Sequence, residues 1–146
     1  MNPPFPPPTP EQERALATLR QIVEDGRTAH MTTDVHLLIA HQAEPQLVVS
    51  GGRIAYVTRA ETRERFTQVF AGAVYQQWDF LEPPIIRLAD DASIAWVISR
   101  VRVRRTKTQP DGSVAREAFT YAGLDTYEMR DGIWLKTVNV STFEED

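Results

Sequence analysis

Apolar residues in the first third of the chain recur at helical spacing: Leu16, Leu19, Ile22 and Val23 define one buried face. Thr9-Pro10-Glu11-Gln12 marks where that helix starts, because threonine caps the first free N–H groups, proline fits the first turn and Gln12 bonds back to the cap. A short second helix is expected from Thr33 or Asp34, with Val35, Leu37, Leu38 and Ile39 following and an end before Pro45. Gln46 to Ser50 and Ile54 to Val57 are β-branched runs parted by Gly51-Gly52, which predicts a bent strand or hairpin. Thr58-Arg59-Ala60-Glu61 is a second capping box, opening a helix that buries Phe66, Val69 and Phe70.

From Tyr75 the period changes to two. Ala89-Asp90-Asp91, Pro110-Asp111-Gly112 and Arg130-Asp131-Gly132 interrupt it as turns, so four long antiparallel strands are expected. Helices first and a meander after them give an α+β domain with the helices on one face of the sheet. Residues 1–10, which hold six prolines, read as a flexible proline-rich arm, and 11–146 as a single domain.

The strand pattern separates two faces. Phe119, Tyr121, Gly123, Asp125 and Tyr127 alternate with Ala118, Thr120, Ala122, Leu124 and Thr126; Thr137, Asn139 and Ser141 alternate with Lys136, Val138 and Val140. The first set is large and functionalised, the second small and smooth. On the preceding strand both sets are largely apolar, and Ile94, Trp96, Ile98, Arg100 and Arg102 are assigned to the functionalised, inward side. The smooth side then comprises Val97, Val101, Ala122, Leu124, Val138 and Val140, and a homodimer through this outer face is expected.

Asp125 is the anomaly, an acid where the pattern asks for a buried side chain. Among Tyr121, Tyr127 and Trp96, burial leaves it as a neutral hydrogen-bond donor or as a carboxylate paired to Arg100. The candidate catalytic residues are therefore Asp125, Tyr121 and Arg100. Trp96, Tyr127, Asn139, Ser141 and Trp78 are the candidate ligand contacts, and a structural role for Asp125, neutralising Arg100 or a backbone donor, is the competing reading.

Composition narrows the chemistry. Sixteen Lys and Arg against twenty Asp and Glu give a net charge of −4, so nothing global attracts nucleic acid or an anionic membrane. The basic strip from Arg100 to Lys107 reads as a solvated hairpin. With no cysteine there is no disulfide, thiolate nucleophile or Cys-based metal site. His30, His36 and His41 lie at spacings that share no helix face, so no metal is expected, and no nucleotide or nucleophile-elbow motif implies a cofactor. The N-terminus has neither the basic start nor the apolar run of a signal peptide, and no stretch is apolar enough to span a bilayer; the expected location is cytoplasmic.

The order of these elements, Thr33-Asp34 at the second helix, the Thr58–Glu61 box, and Arg130-Asp131-Gly132-Ile133-Trp134 leading to Asn139-Val140-Ser141, resembles the nuclear transport factor 2-like superfamily and its SnoaL-like branch over residues 11–143. The resemblance implies a cystatin-like cone: three N-terminal helices on a curved, mainly antiparallel sheet, a pocket at one end and pairing through the outer face. Ketosteroid isomerases of that group carry a late-strand acid, which matches Asp125, whereas their base and tyrosine positions fall at about Val49 or Ser50 and Gly26. Epoxide hydrolases of the fold use an Asp-Arg-Asp relay; Asp125 and Arg100 match two members and no second inward acid is evident. The expected function is binding of a small apolar or aromatic organic molecule in a conical pocket, with a cofactor-free isomerase, lyase or hydrolase as one form. The alternative is a non-catalytic dimeric interaction module whose pocket is filled.

Overall fold

The computed structural model describes residues 6–146, so the start of the proline-rich arm lies outside the described residues. Helix α1 (Pro10–Met31) begins at the expected box, with Thr9 and Gln12 bonded reciprocally. Asp34 caps the single turn of α2 (Val35–Leu38) by accepting from the Leu37 N–H. The hairpin β1 (Gln42–Ser50) and β2 (Arg53–Val57) turns at Gly51-Gly52, both at positive φ. Helix α3 (Arg59–Phe70) follows from the Thr58 box, and then come β3 (Ala73–Phe80), β4 (Ile85–Leu88), β5 (Ile94–Thr108), β6 (Val114–Arg130) and β7 (Ile133–Glu145).

One sheet contains every strand in the order β2-β1-β7-β6-β5-β3, with β4 also paired to β5. All ladders are antiparallel except β1 with β7. The helices cover one face, as the patterning requires. Leu19 and Ile22 of α1 pack on Ala95, Val97, Tyr127 and Trp134, and Phe70 of α3 joins Ala73, Tyr75, Val101 and Val103. Each fully buried aliphatic side chain in these clusters contributes roughly 1.5–3 kcal/mol of burial free energy.

The register corrects the assignment of faces on β5. Val97 stands opposite Asp125 and Val101 opposite Tyr121, and directly opposed residues share a face. Val97 and Val101 are 2% and 0% exposed beneath the helices, whereas Trp96 and Ile98 are 37% and 41% exposed on the far side. Trp96 and Arg100 therefore point away from Asp125, and Val97 and Val101 are core residues, not part of the outer face. The reason is charge: Arg100, Arg102 and Arg104 share the phase of Trp96, and three arginines in a row turn that phase toward solvent.

A β-bulge on β7 makes the second correction. Pairing shifts from Thr126↔Val138 to Tyr127↔Lys136, leaving Thr137 as the extra residue. The alternation changes phase there, and Lys136 joins Asn139 on the inner side, where both line the same cavity.

Candidate functional site

Between the helices and the curled sheet lies a cavity of about 460 Å³. Of the residues proposed from sequence, Asp125, Tyr121, Tyr127, Asn139, Ser141 and Trp78 line it. Arg100 instead pairs with Glu82 at 3.1 Å on the surface.

Asp125 and Asn139 are register partners on β6 and β7, which brings their side chains together over the inner face. The Asn139 Nδ2 donates to Asp125 Oδ1 at 2.7 Å and lies 3.4 Å from the Tyr121 hydroxyl, which accepts. Lys136 Nζ stands 3.9 Å from Asp125 Oδ2. The cation beside Asp125 is thus Lys136, supplied by the bulge, and not Arg100. Because the Tyr121 oxygen accepts from Asn139, its own O–H proton is left for something in the cavity. Burial, and then the neighbouring Asp125 charge, push both Tyr121 and Tyr127 above the usual phenol range, so both stay protonated donors at neutral pH.

Gly123 is part of this arrangement. The Tyr121 ring folds back across it, so close that a Cβ there would stand 2.6 Å from Tyr121 Cζ. The YAGLD segment therefore works as a unit: an inward Tyr, a gap for its ring to lie in, and an inward Asp.

Another part of the cavity wall is aromatic and contains groups that sequence reasoning passed over. His30 stacks on Trp78 with ring centroids 4.9 Å apart and meets Phe66, Phe70 and Tyr75 edge-on. Its Nδ1 is 2.7 Å from the Gly26 carbonyl. Burial, opposed by that bond and aided by Lys136 and Arg105, lowers its pKa from 6.5 to about 4. The signal was present: His30 continues the Leu19, Val23, Gly26 face of α1. Lys136 had no such signal, because a bulge cannot be read from alternation.

Arg105 also faces in, donating to the Tyr75 hydroxyl at 2.8 Å and to Glu117 at 2.9 Å, with its guanidinium over the Tyr75 and Phe119 rings. Glu117 is thus a second inward acid on β6, contrary to the sequence reading. It lies eight positions from Asp125, on the order of 26 Å along a strand, so no relay joins the two. His30 and His41 both line the cavity, yet among the described residues no three His, Asp or Glu side chains gather as a metal site would require. Among these residues, too, no helix is long and apolar enough to cross a membrane.

No family model and no curated protein matches this chain. Solved structures do. A ketosteroid isomerase-like protein from Erwinia carotovora atroseptica is 19% identical with a TM-score of 0.68, covering 90% of this chain and 97% of its own. A nuclear transport factor 2-like protein from Cytophaga hutchinsonii is 16% identical with a TM-score of 0.63, covering 86% and 95%. A protein with a cystatin-like fold from Nostoc punctiforme is 14% identical with a TM-score of 0.62, covering 93% of both chains. At such identities the likeness speaks to fold alone. The chain has the nuclear transport factor 2-like, cystatin-like fold.

Proposed function

From that fold, we propose that the cavity binds a small, largely apolar or aromatic organic molecule and holds its polar group against Asp125, Asn139, Tyr121 and Lys136. The observation that carries this reading is the Asp125–Asn139 pair, 2.7 Å apart on the cavity wall with a lysine and a free phenolic proton beside it. A side chain serving only the fold has little need of an opening of this size.

The arrangement suits proton transfer without a cofactor. Asp125 is the proton acceptor toward a ligand carbon or hydroxyl, and the Tyr121 O–H and the Lys136 ammonium donate to the oxygen on which negative charge develops, while the two Asn139 N–H groups hold Asp125 and Tyr121 in place. The kinship in fold with a protein described as ketosteroid isomerase-like is consistent with such chemistry. The departure is in the base: here one acid and its lysine stand together, with Gly26 at the position of the isomerase tyrosine.

The outer face supports a homodimer. Trp96, Ile98, Leu124, Val138 and Val140 share the side opposite the helices by register, continued by Ile85 on β4 and by Ile54 and Tyr56 on β2. Ile54 and Tyr56 are each 73% exposed in the single chain, and an apolar surface of this breadth calls for a cover. This same surface favours the second reading, an interaction module whose work is done outside the cavity.

Calorimetry with a panel of aromatic ketones and phenols separates the two. Under the first reading at least one compound binds, and Asp125→Asn weakens it about tenfold or more with the melting temperature little changed. A panel without binders, together with a dimer in sedimentation equilibrium, turns the assignment to the interaction module.

A further inference from the structure

We infer that His30 is a second ligand contact in the cavity, a neutral hydrogen-bond acceptor for a hydroxyl or amide N–H borne on an aromatic ring. The inference rests on the cavity being an open ligand site, and it adds a chemical requirement that the Asp125 cluster does not impose.

The tautomer follows from the helix. A backbone carbonyl can only accept, so the 2.7 Å contact with Gly26 places the ring proton on Nδ1 and the lone pair on Nε2. Nε2 lies on the far side of the ring, turned away from the helix backbone. It makes no hydrogen bond among the described residues. Nor is it sealed within the protein, as the unpaired Nε atoms of Arg59 and Arg105 are. It therefore opens into the cavity that His30 lines.

Packing alone gives no reason for an imidazole here. Phe66, Phe70, Tyr75 and Trp78 surround it, and a phenylalanine in its place would meet the same rings without leaving an acceptor unmatched. The surroundings also choose the donor. Lys136 and Arg105 both act on His30 electrostatically, so an ammonium would meet two cations, whereas a neutral O–H or N–H would not. The aromatic walls, with Phe119 added, select a ring as its carrier.

The test uses 2-naphthol and 2-methoxynaphthalene, which share a ring system and differ in the donor. Wild-type protein is expected to bind the naphthol about fivefold or more tightly, the worth of one net hydrogen bond. His30→Phe is expected to abolish the preference while still binding the methoxy compound, and His30→Gln to keep part of it. In unsubstituted protein the ¹⁵N resonance of His30 Nε2 should move with naphthol and not with its ether, an arm that needs no variant to fold. Equal affinities in the wild type, or a preference that survives His30→Phe, would overturn the assignment and leave the cavity reading intact. Failure of both compounds to bind would overturn the two together.

Discussion

The two faces of the β5–β6 ladder invert the usual expectation for a sheet. The covered face holds a polar cluster, Asp125 and the Tyr121 hydroxyl joined by Asn139 and Lys136 of the adjacent β7, each within reach of another. The uncovered face holds Trp96, Ile98 and Leu124 at one end of the ladder and Arg100, Arg102 and Arg104 further along it, with Val138 and Val140 beyond on β7. A polar group enters the interior here only in company, because desolvation without a partner costs more than the fold can spare. An apolar group outside faces no such penalty, and Trp96 and Ile98 stay exposed in the single chain.

The largest effect expected from breaking this contrast comes from swapping a polar group in where it has no company. Val101→Asp puts a carboxylate among Phe70, Ala73, Tyr75 and Val103 and should remove about 4 kcal/mol or more of stability, abolishing cooperative unfolding in urea. Ile98→Asp, three positions away on the outer face, should change stability by no more than about 0.5 kcal/mol when tryptophan fluorescence is followed at submicromolar concentration. Equal losses would mean that the two faces are not distinct.

His30 sharpens the contrast, being an interior group only half accompanied. Its folded pKa of about 4 lies below the ordinary 6.5, so between these values the unfolded chain binds a proton that the folded chain refuses. Stability from this source is constant above pH 6.5 and falls as the pH drops toward 4, by about 3 kcal/mol in all. His30→Phe should lose that slope, so the difference between wild-type and variant unfolding free energies, measured from pH 8 to pH 4, isolates it from the carboxylates. A difference independent of pH would remove His30 from the desolvated interior.

How far the sequence foretold the two faces depended on where polarity broke the symmetry. Helix starts were legible because capping is local: Thr9, Asp34 and Thr58 each act within four residues. On β6, bulky functional residues alternate with small ones, and the inward placement of Tyr121, Asp125 and Tyr127 could be read directly. On β5 both phases are apolar, and the decisive signal was the charge that accompanies one of them. Arg100, Arg102 and Arg104 are in phase with Trp96, and three arginines in a row favour solvent over a core. Lys136 was out of reach altogether, since its direction depends on a bulge set by pairing across strands.

The smallest of these effects tests whether the interior arrangement is specified residue by residue. Gly123 has no positive φ to explain it and lies mid-strand, where glycine is ordinarily unfavourable. What it supplies is the space across which Tyr121 lies, and with it the approach of the phenol to Asn139. Gly123→Ala sets a methyl group against Tyr121 Cζ at 2.6 Å and Cε1 at 3.1 Å, so the ring must swing into the cavity. The expected cost is about 1–2 kcal/mol, measured by denaturant titration, because overpacking is opposed by the better strand propensity of alanine. In a Tyr121→Ser background the same substitution should be neutral or slightly stabilising, since the clash has gone and only the propensity gain remains. If Gly123→Ala costs as much without the tyrosine as with it, the glycine answers to the backbone and not to the site. If the cost disappears with the ring, the inner face of β6 is built around the position of one hydroxyl.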